Sequence, residues 1–187
     1  MHPVLETIAR RRSVRAYDPA PIGKEALSAV LEAAGQAATG CNEQPWRFVV
    51  VQDETLRGRF ADWARPRYEA WLARAPEPVK KMREPIDAAV DDPVFYGAPA
   101  VVYVIGRGMT ADFDCAMACG NLMLAARALG LGSCWVYFGQ LILDVPEVRE
   151  RLELAEGEKV YGPILLGRPR DGFPEAPPKR PLRLKIL

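Results

Sequence analysis

From Asp112 to Leu129 the chain is almost wholly apolar, with Met117, Leu122, Met123 and Leu124 set among small alanines. A helix over this stretch is apolar on nearly every side, so it has to lie in the middle of a domain or between two copies of the chain. Thr110 stands where an N-cap is needed, and Gly130 where the chain must leave the helix. Around this element α and β patterns alternate. Arg47-Phe48-Val49-Val50-Val51 and Ala100-Val101-Val102-Tyr103-Val104-Ile105 are apolar, β-branched runs that read as buried strands, the second ended by Gly106. Cys134 to Phe138 and Val160 to Leu166 read as two more strands. Val4 to Arg11 reads as a short helix behind Pro3, with Val4, Leu5 and Ile8 as its apolar stripe. A second helix, from Ile22 or Gly23 to about Ala37, places Leu27, Val30, Leu31 and Ala34 on one face and is expected to pack under the strand that follows. Pro146 to Leu154 forms a short helix by the same reading.

Residues 53–92 and 168–187 follow other rules. Leu56, Phe60, Trp63 and Ala64 keep helical spacing, Pro66 is expected to kink or end that helix, and Tyr68, Trp71 and Leu72 resume the pattern. Aromatic residues at such spacing serve packing more often than a substrate lid. Pro76, Pro78, Pro85 and Pro93 divide the remainder into short pieces, a composition suited to a mobile cover over a site. The proline-rich tail ends in Leu182-Arg183-Leu184-Lys185-Ile186-Leu187, an apolar alternation expected to add a strand to a sheet in this subunit or its partner.

At 187 residues the chain suits one domain with a substantial core. Its 25 basic residues nearly cancel its 24 acidic ones, so no long-range field favours nucleic acid or an anionic membrane. No apolar run approaches the ~20 residues needed to span a bilayer. Cys41, Cys115, Cys119 and Cys134, with no basic flank or apolar leader behind Met1-His2-Pro3, point to reduced thiols in a cytoplasm. Cys115 and Cys119 share a helical face, but with His2 as the only histidine they make neither a usual zinc set nor a nucleophilic Cys-His pair, and they are expected to be buried and inert. Gly130-Leu131-Gly132 begins a dinucleotide fingerprint but meets Trp135 at its sixth position and runs from helix into strand, the reverse of a Rossmann turn. No P-loop occurs.

Two short motifs carry chemistry. Arg10-Arg11-Arg12-Ser13-Val14-Arg15 concentrates guanidinium groups around a hydroxyl, and in an extended chain Arg11, Ser13 and Arg15 point to one side. A phosphate or polycarboxylate lying there would take charge-assisted bonds. Thr39-Gly40-Cys41-Asn42-Glu43-Gln44-Pro45-Trp46 closes the second helix and leads into the first strand. In this order and spacing the two segments resemble the nitroreductase family of flavin mononucleotide (FMN) enzymes, and the similarity continues through Asp112 to Phe138 and Leu165-Leu166-Gly167-Arg168-Pro169.

The resemblance implies an α+β, three-layer fold: a central, mixed but mostly antiparallel sheet flanked by helices, in a homodimer with long central helices and a C-terminal arm. The whole chain, 1–187, forms one such domain, with 53–92 as a variable cover segment and 168–187 as the arm. Arg11, Arg12, Ser13 and Arg15 are implied to hold the FMN phosphate and ribityl chain, with Arg10 outside the motif. Thr39, Gly40 and Asn42 are implied to reach the partner's flavin, and Trp135, Val136 and Tyr137 to pass the dimethylbenzene and N5 side, largely through backbone groups. Lys179 and Arg180 match a basic pair that adds to the phosphate site. The positive group near the pyrimidine edge falls in the unaligned segment, leaving Lys80, Lys81 and Arg83 as unranked candidates. Taken singly, each motif also has a structural reading: a solvated basic turn, a packed turn at Pro45-Trp46, core strand residues at Trp135 and Tyr137, an exposed tail at Lys179-Arg180. The implied activity is ping-pong hydride transfer from NADH or NADPH to a nitroaromatic, quinone or enone, with the flavin carrying the chemistry and no metal or protein acid named. A dehalogenase-like or flavin-consuming activity of the same fold, and a flavin-binding module without turnover, remain alternatives.

Overall fold

The computed structural model describes residues 1–187. Four strands, β1 (Trp46–Val51), β2 (Ala100–Gly106), β3 (Gly132–Trp135) and β4 (Lys159–Gly167), form one sheet in the order β1-β2-β4-β3. All three ladders are antiparallel, and the one parallel pairing is an isolated bridge between Ser13 and Ser133. β2 shows why the apolar run was needed. Val101, Tyr103 and Ile105 enter one core and Ala100, Val102 and Val104 the other, so alternation sends every side chain into a buried layer.

One layer is made by α2 (Lys24–Gly35) and α5 (Ala111–Ala128), whose Val30, Ala34, Cys115, Cys119, Leu122 and Ala126 pack on that face. Gly106 permits the close approach: a Cβ there would stand 2.4 Å from the Cys115 sulfur and 2.8 Å from the Pro45 carbonyl oxygen. α5 leaves its helix through Gly130 at φ 73°, with the Leu131 N–H returning to the Ala126 carbonyl at 2.8 Å. At the other end Thr110 occupies the cap position, but its hydroxyl donates to Asp114 instead of capping a backbone N–H. α5 is not buried on all sides: Phe113, 73% exposed, and Met117 face outward, as do Val4, Leu5 and Ile8 of α1 (Pro3–Arg10).

The opposite layer contains α3 (Glu54–Arg74), which inserts Phe60, Ala64 and Tyr68 into the core, with α6 (Pro146–Arg151) beside it. Pro66 neither ends nor divides α3, because it and Asp62, whose carbonyl loses its donor, both lie on the solvent side. The proline-rich stretch likewise holds a full helix, α4 (Glu77–Asp87), with Pro78 in the first turn, where a missing N–H removes no bond, and Pro85 in the last.

Three strand expectations change. β1 is an edge strand and mostly half-buried. β3 stops at Trp135: the Val136 N–H still donates to the Pro163 carbonyl at 2.9 Å, but Pro163 has no N–H to return, and from Tyr137 the chain turns into a short 3-10 helix. The tail adds no strand to its own sheet. After Pro169 bridges to Tyr17 it runs without regular structure, leaving Leu182, Leu184, Ile186 and Leu187 exposed.

Candidate cofactor site

The basic motif emerges from α1 in extended conformation and is stitched to the outer edge of β3, where the Val14 N–H donates to the Ser133 carbonyl at 3.0 Å. Val14 turns inward and is buried against Gly132, where a Cβ would lie 2.7 to 2.9 Å from three Val14 carbons. The alternation then turns Ser13 and Arg15 outward. Beyond them, Tyr17 donates to the Val14 carbonyl at 2.7 Å, and Asp18 and Arg170 exchange backbone bonds with Arg168 and Ala16. That lacing brings the start of the C-terminal arm alongside the motif.

The result is a cleft of about 770 Å³ lined by Arg11, Arg12, Ser13, Arg15 and Lys179, with Glu175 as its one carboxylate. None of these four cations forms an ion pair. Arg12 is partly committed, giving Nη1 to the carbonyls of Ala9 and Arg11. The Nε atoms of Arg12 and Arg15 are buried without any partner. Buried donors without acceptors are costly, and converging guanidinium groups repel, so the donor set is complementary to a multivalent anion such as a phosphate monoester. Arg180 is exposed and does not line this cleft.

A second cleft of about 460 Å³ shares Ser13, Arg15 and Pro174 with the first and adds Ile86 from the last turn of α4 and Val90 just beyond it, with Arg170 on the arm. Arg15 stands 6.0 Å from the centroid of the Tyr96 ring, and Tyr96, at φ 54°, is turned into place by Asp92, whose carboxylate accepts from the N–H groups of Val94 and Phe95. The Tyr96 hydroxyl in turn accepts from Arg83. Arg83, 6% exposed, also donates to the Tyr68 hydroxyl, to Asp87 and to the Pro93 carbonyl at 2.7 to 3.0 Å. Burial works against its charge, but the Tyr96 and Tyr68 hydroxyls more than offset this, so its pKa is raised. The Tyr68 phenol is pushed up to about 12 by burial and by its bond to Asp87. Of the three unranked cations, Lys80 pairs with Glu77, Lys81 is exposed, and Arg83 ties α3, α4 and the 93–96 loop together beneath Arg15.

Trp135 and Tyr137 reach the surface at the end of β3, while Val136 is buried and its N–H is already taken. The N–H groups at the start of the turn, Tyr137 and Phe138, have no intrahelical acceptor by position. Phe138, Tyr96 and the Arg170–Pro174 stretch were not singled out from the sequence. Only the Asp92-to-Gly97 loop, rich in turn residues, carried a signal there. Cys134 lies beneath the motif, its thiol pushed up by burial against the opposing pull of Arg15 and Ser13. Burial likewise lifts Cys115 to about 11 and Cys119 to about 12.

The second motif lies elsewhere. Cys41, Asn42 and Gln44 all have positive φ, Gln44 holds the turn through both oxygens of Asn42, and Gly40 sits close under Thr110. Its exit strand pairs Trp46 with Gly106, whereas Ser133, beside the basic motif, pairs with Leu166 and thereby with Ala100 at the other end of β2. Thr39, Gly40 and Asn42 therefore stand about 20 Å along the sheet from Arg11 and Ser13 of the same chain, by the ordinary rise of a strand.

The model of the nitroreductase family matches residues 8–168. A nitroreductase with bound FMN from Bacteroides fragilis superposes over 100% of both chains with a TM-score of 0.75 and 31% identity. The 5,6-dimethylbenzimidazole synthase of Rhodospirillum rubrum is 31% identical over 88% of this chain and 81% of its own length. An NADPH-flavin oxidoreductase of Vibrio harveyi is 28% identical over 100% of this chain and 73% of its own.

Proposed function

This chain belongs to the nitroreductase family, and from that premise we propose that it is an FMN-dependent oxidoreductase passing electrons from NADH or NADPH to a small nitroaromatic, quinone or enone. The observation that carries the reading is the cationic cleft with its unpartnered, buried guanidinium nitrogens. Arg11, Ser13, Arg15 and Lys179 would hold the phosphate, with Arg12 half-committed. Arg15 would also place positive charge beside the ring's pyrimidine edge, held in position by Tyr96 and, through it, Arg83. Tyr137 and Phe138 would offer backbone N–H groups and Trp135 a wall, while Val136, expected there from the sequence, is buried in the core and supports them from beneath. When bound, FMN supplies the two-electron chemistry. The balance for a quinone is NAD(P)H + H⁺ + quinone giving NAD(P)⁺ + hydroquinone, with donor and acceptor taking turns at one face in ping-pong order.

A homodimer completes this arrangement. Thr39, Gly40 and Asn42 cannot reach their own chain's basic cleft, and the exposed apolar faces of α1 and α5 suit contact with a second copy. The tail, whose apolar end from Leu182 to Leu187 is exposed in the single chain, would serve as the arm. No helix is long and apolar enough to cross a membrane, and four free thiols fit a reducing cytoplasm. The test is the visible spectrum of the purified protein, release of its chromophore, and NAD(P)H oxidation with a quinone. About one FMN per chain with turnover supports the reading, and a colourless chain that takes up no FMN refutes it. Stoichiometric FMN without turnover would make it a binding module. The 5,6-dimethylbenzimidazole synthase relative gives the second reading its support, another reaction of the same fold, distinguished by product analysis under air.

A further inference from the structure

The last turns of α3 carry a feature that the flavin reading leaves unused. Arg67, Ala70, Trp71 and Arg74 follow the i, i+3, i+4, i+7 spacing of one helix face, and with Ala75 and Pro76 they line a cleft of about 440 Å³. Trp71, 37% exposed, is one of its walls; it stacks on Tyr68 at 6.2 Å and packs on Phe138 at 4.6 Å between centroids, beside the Tyr137 end of the candidate flavin site. Arg67 is tethered by the Trp63 carbonyl and, at 3.3 Å, by Asp144. Arg74 makes no hydrogen bond and no ion pair, and no carboxylate lines the cleft. A basic residue in the last turn of a helix complements the helix dipole. That accounts for a cation at this position, but not for an indole left 37% exposed on the same helix face as two guanidinium groups.

We infer that this cleft receives the anionic end of a planar aromatic acceptor: the ring stacks toward Trp71, a carboxylate lies against Arg74, and the reducible group faces the Tyr137–Phe138 turn. A planar guanidinium takes a carboxylate through two parallel bonds, and an indole gives a flat ring area to stack on. The inference rests on the flavin reading for the chemistry. For a nitroarene the first step is ArNO₂ + NAD(P)H + H⁺ giving ArNO + NAD(P)⁺ + H₂O, and the carboxylate is unchanged throughout.

The test compares 4-nitrobenzoate with 4-nitrobenzamide, close isosteres that differ in charge, on the FMN-loaded wild type and on Arg74→Gln, Arg74→Lys and Arg74→Glu. The quantity read is the ratio of the two kcat/KM values within one preparation. It should favour the carboxylate in the wild type, fall about three- to tenfold in Arg74→Gln as a partly exposed charge-assisted contact is lost, recover in part in Arg74→Lys, and fall furthest in Arg74→Glu. Calorimetric titration with benzoate and benzamide should give the same order without turnover. An equal ratio in wild type and Arg74→Gln, with equal benzoate affinity, overturns the inference while leaving the flavin reading intact. A protein that takes up no FMN fails the flavin reading instead, and benzoate binding to that chain, weakened or unchanged by Arg74→Gln, still decides the cleft.

Discussion

Arg15→Met separates a cofactor ligand from a structural pillar, because the two roles move stability in opposite directions. In the flavin-free protein the Arg15 Nε is buried with no acceptor, a state that costs about 1–3 kcal/mol. Its one favourable contact, the Tyr96 ring at 6.0 Å, returns about 0.5–1 kcal/mol. Methionine keeps the aliphatic stem and removes the orphaned donor, so the flavin-free variant should equal the wild type or exceed it by up to about 2 kcal/mol, a rise of a few degrees in Tm. FMN binding should move the other way. A charge-assisted bond is worth about 1.5–3 kcal/mol, which weakens Kd by about 10- to 150-fold. At FMN concentrations about 100 times the wild-type Kd, ligand protection of about 2.7 kcal/mol would shrink to about 0.4 for a variant 100-fold weaker. Flavin fluorescence titration gives Kd, and thermal melts with and without FMN give both stability terms. A flavin-free Tm that drops by several degrees while Kd stays unchanged would refute the reasoning and make Arg15 a structural residue.

Removing the buried cation of the cover segment should be severe: Arg83→Met strands Tyr68, Asp87, Tyr96 and the Pro93 carbonyl and should cost about 3–5 kcal/mol in urea unfolding, with a loss below about 1 kcal/mol showing that the cross-tie is idle. Acid should release a different clamp. The Glu158 carboxyl is held down from the ordinary 4.5 to about 2, first by its bonds to Arg47. Its contribution is therefore complete above about pH 4.5 and is lost as pH falls toward 2, and Arg47→Ala should flatten stability across that window in pH-dependent melts.

How much was legible depends on whether a signal was local. The Ala100–Ile105 run announced a strand buried on both faces because both of its alternating sets were apolar, and its two sets do enter the two cores. The extent of α5 followed from Thr110 and Gly130, punctuation lying within a residue or two of its ends. The continuity of α3 through Pro66 was hidden because a proline's cost depends on which way its face looks, which only tertiary packing decides. The end of β3 depends on Pro163 in a strand far along the chain. Arg83 stood level with Lys80 and Lys81 in sequence, since its partners come from α3 and the 93–96 loop as well as from its own helix. At the site, Arg11, Arg12, Ser13, Arg15 and Lys179 do line one cleft, whereas Phe138 brings no local pattern that marks it, and the turn residues around Tyr96 mark a loop but not the ring it presents.

The two sequence motifs lie at opposite ends of β2, and that separation yields the sharpest test of the homodimer reading. In a two-fold dimer each contact occurs twice, so the basic wall of one chain would meet Thr39, Gly40 and Asn42 of the partner subunit, and the reverse. A chain carrying Arg15→Met and a chain carrying Asn42→Ala would each form homodimers with one defect in every site. In their mixed dimer both defects would fall in the same site, and the other site would combine the intact wall of one chain with the intact turn of the other. Mixing the two variants, allowing subunits to exchange, and titrating FMN should therefore reveal a class of sites with wild-type affinity that neither parent has. At equal mixing half of the dimers are mixed and each holds one restored site, about a quarter of all sites. Were the turn and the wall of one chain to serve the same site, every site in the mixture would keep a single defect and no tight class would appear.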